Sequence, residues 1–260
     1  MQLAKHLCRN LAGFVTLCAL ACALAGTAAA DRIPLVGTAP TANIQPSATT
    51  ATGLVTLVAP ASLSCVHTAT FDDVSSSGIT GTNYDGPFSS MGVFFAERFV
   101  GQAVSFAGNF DAISGTPGNP LALQAGLPGQ NLDVFNYVTN VLAGLGHLGY
   151  PDFDAIGEGS IAMSFAIGQA QVGLDVVGGN GGSATLDFYR GDGSLIDTVV
   201  LSGLADRSYG FMRSDGVPDI KGILIQSTDP SGFGIDNVCH DVISDKTQSN
   251  TWGTLKTLYR

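Results

Sequence analysis

Positive charge is what this chain has least of. Eleven Lys and Arg face 21 Asp and Glu over 260 residues, and charged residues of every kind make up only 12%. Affinity for phosphodiester backbones and anionic bilayers comes chiefly from Lys and Arg, so nucleic acid and acidic membrane surfaces are poor partners for this chain. Glutamate is scarcer still, with Glu97 and Glu158 the only two, and Trp252 is the single tryptophan. There is no HExxH, no closely spaced His pair and no cysteine ligand set, which argues against zinc. A GxSxG nucleophile elbow is also missing. Residues 178–184 (GGNGGSA) contain a GxGxxA match, but LDFYR follows, a strand-like run where a dinucleotide site needs a helix N-terminus. That segment reads as a glycine-rich turn.

The start of the chain has the three parts of a secretory leader. Lys5, His6 and Arg9 precede an apolar run over residues 11–24, and Ala28-Ala29-Ala30 supplies small residues before Asp31. Residues 1–30 are therefore expected to be a cleaved signal peptide and the mature protein to be secreted, extracellular or in the cell envelope. Removing them leaves nine basic against 21 acidic residues, a net charge of −12. No later stretch is long and apolar enough to serve as a transmembrane helix, and no hydrophobic anchor with a basic cluster closes the sequence. Cys8, Cys18 and Cys22 leave with the leader, so only Cys65 and Cys239 remain. Two cysteines in an oxidising compartment predict one disulfide, which places the beginning and end of the folded region side by side.

Residues 31–61 are rich in Ala, Thr and Pro and form a lead-in, with one apolar burst at 53–58 that predicts a strand. The domain proper is expected over residues 62–243. Runs rich in β-branched and aromatic residues recur there at 65–71, 91–99, 103–106, 160–167, 172–177, 184–190, 195–201, 209–213, 220–227 and 233–242. Gly191-Asp192-Gly193-Ser194 links two of them as a hairpin turn would. Turn signals every 8 to 12 residues or so favour an all-β antiparallel sandwich over alternating helix and strand. The exception is 131–145 (NLDVFNYVTNVLAGL), whose apolar residues fall near helical spacing. It predicts one irregular insertion carrying a short helix, and such insertions are where binding residues commonly sit. Residues 244–260 read as a polar linker and a short amphipathic tail with Trp252, Leu255 and Tyr259 on one side.

Three groups of residues could carry chemistry. Phe71-Asp72-Asp73 near one end and Ile235-Asp236-Asn237 near the other come together if the terminal strands pair antiparallel, offset by about 14 Å unless a bulge or turn after Phe71 returns the chain. Clustered carboxylate and amide oxygens are what Ca²⁺ takes, so Asp72, Asp73, Asp236 and Asn237 are the candidate ligands of a structural calcium. Asp152 and Asp154 fall on one face of an extended segment, and Tyr150 and Tyr84 are candidate sugar-stacking side chains, so these four form the candidate ligand site. Glu97 and Glu158 are the acids on which a polysaccharide-cleaving enzyme would depend. His67 lies two residues past Cys65 while His240 directly follows Cys239, and simple alternation would put them on different faces.

FDD near the start, DGSLIDTVVL in the second half and FGIDNV at the end resemble the jelly-roll domains of exported bacterial proteins that carry a PEP-CTERM sorting tail. The layout over residues 62–242 is also similar to MAM-type and carbohydrate-binding-module sandwiches, in which first and last strands pair. The resemblance implies a jelly-roll-like sandwich, calcium-assisted folding and binding of a glycan or envelope polymer, in families many of whose members have no known activity; the expected role is a non-catalytic binding module. A structural or adhesive protein with no small-ligand affinity is the alternative.

Overall fold

The computed structural model describes residues 47–50, 52–78 and 80–240. The expected leader, the first part of the lead-in and the C-terminal tail lie outside them. The described residues form twenty strands and two short 3-10 turns, Pro60–Ser62 and Phe153–Ala155. In chain order the strands are β1 Ser47–Thr50, β2 Val55–Val58, β3 His67–Ala69, β4 Thr82–Tyr84, β5 Phe88–Ser90, β6 Val93–Ala96, β7 Arg98–Phe99, β8 Ala103–Ala107, β9 Phe110–Ser114 and β10 Leu123–Gln124. They continue with β11 Leu132–Asn136, β12 Asn140–Leu145, β13 Ile156–Gly159, β14 Ile161–Gln169, β15 Gln171–Val177, β16 Ser183–Tyr189, β17 Leu195–Ser202, β18 Arg207–Arg213, β19 Ile220–Ser227 and β20 Gly234–His240.

These strands make the antiparallel sandwich that the turn spacing predicts. One sheet has the order β1-β17-β16-β19-β14-β6-β5, and the other β2-β18-β15-β20-β12-β11-β4, with β3 added on β20 and β13 on β12. Alternation along each strand sends one set of side chains inward. Ile161, Met163 and Phe165 of β14 and Ile223 and Ile225 of β19 share the main core with Val172, Leu174 and Val176 of β15 and Tyr209 and Phe211 of β18. The expected Gly191–Ser194 turn joins β16 to β17, closed by Arg190 N–H donating to the Ser194 carbonyl at 2.9 Å.

The sheets take in more of the lead-in than expected. β2 pairs with β18 and β1 with β17, both upstream of Ser62. Asp197 of β17 fastens this segment by accepting from the Thr52 and Val55 amides at 2.8 and 2.9 Å.

The helix expected over 131–145 is a hairpin instead, β11 paired with β12. Both faces of this hairpin are covered, which is why its apolar residues do not alternate cleanly with polar ones. Leu132, Val134 and Leu142 join the main core, while Phe135, Val141, Ala143 and Leu145 pack outward against Ala155 and Ile156 behind the Phe153–Ala155 turn. A third apolar cluster, Phe99, Ala162, Tyr189 and Leu224, lies apart from the main core and is packed by Ile113, Leu121 and Leu123 of the 100–131 insertion.

Cys65 and Cys239 are disulfide-bonded, with Cα atoms 5.6 Å apart. They are not register partners: Thr68 lies opposite Cys239, and His67 lies opposite His240. The two histidines are therefore cross-strand neighbours, with ring centroids 5.7 Å apart. The separate faces expected from alternation assumed that the cysteines themselves were paired.

Candidate ligand-binding site

The FGIDNV motif has a local physical reading. Ile235 and Val238 both reach the core although they are three residues apart, because Asn237 sits at φ 50° and absorbs one residue as a bulge. The β15–β20 register shifts at the same place, with Gly173 opposite Cys239 and Asp175 opposite Asp236. Asn tolerates this left-handed conformation better than most residues.

Phe71, at φ 58°, turns the chain after β3 as the expected return requires. It brings Asp72 into the field of Asp236, whose carboxyl is raised first by burial and then by the Asp175 and Asp72 charges. Asp236 accepts from the Thr139 hydroxyl at 2.7 Å and from the Asn237 amide at 2.6 Å, and the Asn237 side chain donates to Asp175 at 2.8 Å. Asp73 turns elsewhere, taking the Ser90 hydroxyl at 2.5 Å and the Met91 amide at 3.1 Å. The four expected calcium ligands thus do not converge. Three of them make hydrogen bonds to residues outside the set: Asp73 accepts from Ser90 and Met91, Asp236 from Thr139, and Asn237 donates to Asp175. Among the described residues no group of three or more His, Cys, Asp or Glu side chains is arranged to hold a metal ion.

The expected ligand residues are brought into one region by loops. Tyr150 is exposed, and its amide donates to the Gly129 carbonyl at 2.7 Å. The Gly129 amide in turn donates to Asp85 Oδ1 at 2.6 Å, next to Tyr84. Asp152 and Asp154 are exposed at the Phe153–Ala155 turn, where Asp152 accepts from the Asp154 amide at 2.9 Å. Tyr84 is not an open platform. It is half-buried, its hydroxyl donates to the Ser75 carbonyl at 2.8 Å, and its ring stacks on Phe88 at 4.3 Å.

Sequence reasoning missed several contributors. Phe106, 49% exposed at the tip of the β8–β9 hairpin, packs on the His147 ring at 5.4 Å. Gln130 ties the two loops by donating to the His147 carbonyl at 2.7 Å. Asn131, fully buried, accepts from the Glu97 amide at 2.8 Å and donates to the Tyr84 carbonyl at 2.5 Å. Nothing in the local sequence marks Phe106 or Asn131, because their partners come from segments distant along the chain.

A buried charged group involves the same loops. Glu97 is ion-paired with Arg98, and the Glu97 carbonyl accepts from the Ser160 hydroxyl at 2.9 Å. Asp111 accepts from the Ser160 amide at 2.9 Å. Burial pushes the Asp111 carboxyl up to about 6, against the Ser160 hydrogen bonds and the Arg98 and His147 charges. Glu158 is also buried and lies close to Gly146, where an added Cβ would come 2.9 Å from Glu158 Cβ.

The chain matches no family model, no curated protein and no solved structure. The resemblance to exported jelly-roll domains therefore rests on its short motifs alone. Among the described residues no helix is long and apolar enough to cross a membrane.

Proposed function

We propose that this chain is an exported, non-catalytic binding module for a glycan or envelope polymer, taken at the loops around Tyr150. The observation that carries this reading is a pair of exposed aromatic side chains on fastened backbone. Tyr150 is held through Gly129 and Asp85, and Phe106 is held against His147, with the carboxylates of Asp152 and Asp154 open beside Tyr150 in sequence. A ring face covers the apolar C–H face of a sugar, and nearby oxygens accept from its hydroxyls. An anionic site in a chain of net charge −10 suits neutral or cationic polymers better than phosphorylated or sulfated ones.

A glycan array run on the mature protein with added Ca²⁺ and with EDTA tests this. Binding is expected in both conditions. Burying one ring is worth about 1.5–3 kcal/mol, so Tyr150→Ala and Phe106→Ala should each weaken binding by roughly ten- to a hundredfold. Absence of capture in both conditions would refute the reading and favour a structural or adhesive role. One observation favours polysaccharide cleavage instead: Glu97 and Glu158, the only glutamates, are both buried beside these loops. Product release on an oligosaccharide panel, lost in Glu97→Gln or Glu158→Gln, would establish that alternative.

A further inference from the structure

We propose that Asp133 is carried as the neutral acid and donates its proton to the Asn83 side-chain oxygen, so that ionisation of this one carboxyl loosens the edge strand β4. Asp133 lies in β11 with no exposed surface, and neither of its oxygens has a hydrogen-bond partner. Directly opposite it in the β11–β4 register is Asn83, whose Oδ1 is also buried without a partner. Residues directly opposite in an antiparallel pair project to the same face with Cβ atoms roughly 5 Å apart. The Asn83 amide cannot simply be turned over, because its nitrogen donates to Asp85 Oδ1 at 2.8 Å and a flip would set oxygen against that carboxylate. Two buried acceptors therefore stand on the same face of neighbouring strands without a donor, and a single proton shared between them satisfies both.

The packing favours a proton over a metal ion. The Asp133 carboxyl lies directly against Gly81, where an added Cβ would overlap it, so that side has no room for a hydrated cation. The electrostatic surroundings agree. Burial pushes the Asp133 carboxyl up to about 7, and among the described residues no cation opposes it. The adjoining residues 80–81 and the neighbouring β12 carry no titratable side chain. β4 contributes Tyr84, and Asp85 follows directly after it. The Tyr84 phenol is raised first by its own burial and in part by the Asp133 and Asp73 charges, while the Gly129 amide and the Asn83 side chain hold Asp85 below the usual carboxylate range.

Asn83 connects this carboxyl to the candidate site. Its amide holds Asp85, Asp85 holds the Gly129 amide, and Gly129 holds the Tyr150 amide, each by a hydrogen bond of 2.6–2.8 Å. Loosening β4 slackens that chain at its root. Only this last link rests on the binding reading.

The test is a carboxyl-carbon NMR titration of the oxidised mature protein, with amide exchange of β4 followed over pH 5 to 9 and corrected for intrinsic rates. No glycan is present, so failure of the binding reading leaves the result standing. The Asp133 carbon is expected to titrate with a midpoint near neutrality, and β4 exchange should rise through the same range. In Asp133→Asn, whose amide donates as the neutral acid does, that rise should vanish. One proton makes the effect at most about tenfold per pH unit. A midpoint near 4, or β4 exchange that ignores the titration, would overturn the proposal. So would protection of β4 by millimolar Ca²⁺ that disappears in Asp133→Asn.

Discussion

Opening the Cys65–Cys239 bond should destabilise the protein mainly through its unfolded state. The bond closes a sequence separation of 174 residues. For a loop of that length the chain-entropy relation gives about 5 kcal/mol at 25 °C. The folded state has little to lose on reduction. β3 stays paired to β20 over three register positions, and the Val66 amide still donates to the His240 carbonyl at 3.2 Å. With a urea slope of about 2.5 kcal/mol/M for a domain of this size, the midpoint should fall by roughly 2 M. The slope itself should rise, because the reduced unfolded chain is less compact. Urea unfolding followed by circular dichroism, with and without reductant and on a Cys65→Ala/Cys239→Ala variant, measures both quantities. A midpoint shift below about 0.4 M, with alkylation showing both thiols free, would refute the entropic account by leaving only about 1 kcal/mol to the bond.

Three further outcomes follow from contacts around the sandwich. Gly173→Ala should cost about 1–3 kcal/mol, because its new methyl would come 2.9 Å from Cys239 Sγ and 2.7 Å from Leu63 Cδ1; thermal unfolding checks this, and the penalty should shrink once the sulfur is reduced and free to turn. Asp229→Ala should cost about 3 kcal/mol or more, since the buried carboxylate accepts from the amides of Asn180, Gly182 and Ser231 at 2.7, 2.9 and 3.0 Å, whereas Asp229→Asn should recover part of the loss. Stability should peak near pH 4 to 5. Asp111 and Asp133, raised to about 6 and about 7, contribute stability that is full below their unfolded value near 4 and is lost as pH rises through 6 and 7, on the order of 3 and 4 kcal/mol. Asp85 and Asp197 are depressed, Asp197 against its burial by the Val55 and Thr52 amides, so their contributions are lost only as pH falls below about 4. Chemical denaturation from pH 3 to 9 measures the profile, and Asp111→Asn should flatten it between 4 and 6.

Strand positions were legible where runs of β-branched and apolar residues are bounded by turn residues. Residues 220–227 are a strand over that whole span, and 184–190 and 195–201 are strands to within one residue at either end. Legibility failed at 131–145, where two apolar layers sandwich one hairpin and the period of two is hidden. The paired ends were legible through the two cysteines, but their register was not. Alternation counted from the sulfurs assigned His67 and His240 to different faces, while the backbone pairs Thr68 with Cys239. At the candidate site, Tyr150 and the Asp152–Asp154 pair carried local signals. Phe106, His147 and Asn131 did not, because what defines them is contact across the chain.

The acidity of the chain is better explained by its loops than by a ligand. Two glutamates stand against nineteen aspartates, and the short aspartate side chain can reach a backbone amide two residues on. Asp152, Asp192, Asp215 and Asp229 each do so, accepting from Asp154, Ser194, Val217 and Ser231 at 2.9–3.1 Å. Others fasten distant segments: Asp197 holds Thr52 and Val55, Asp111 holds Ser160, Asp85 holds Gly129, and Asp73 holds Met91. An antiparallel sandwich with long insertions leaves many loop amides without a ladder partner, and one carboxylate satisfies two or three of them. Oxygen-rich turns can serve either purpose, and of the four expected calcium ligands Asp73 is one of these fasteners. Against that pattern Asp133 is set apart, buried with no amide to accept from, and the usual reason for an aspartate in this fold does not account for it.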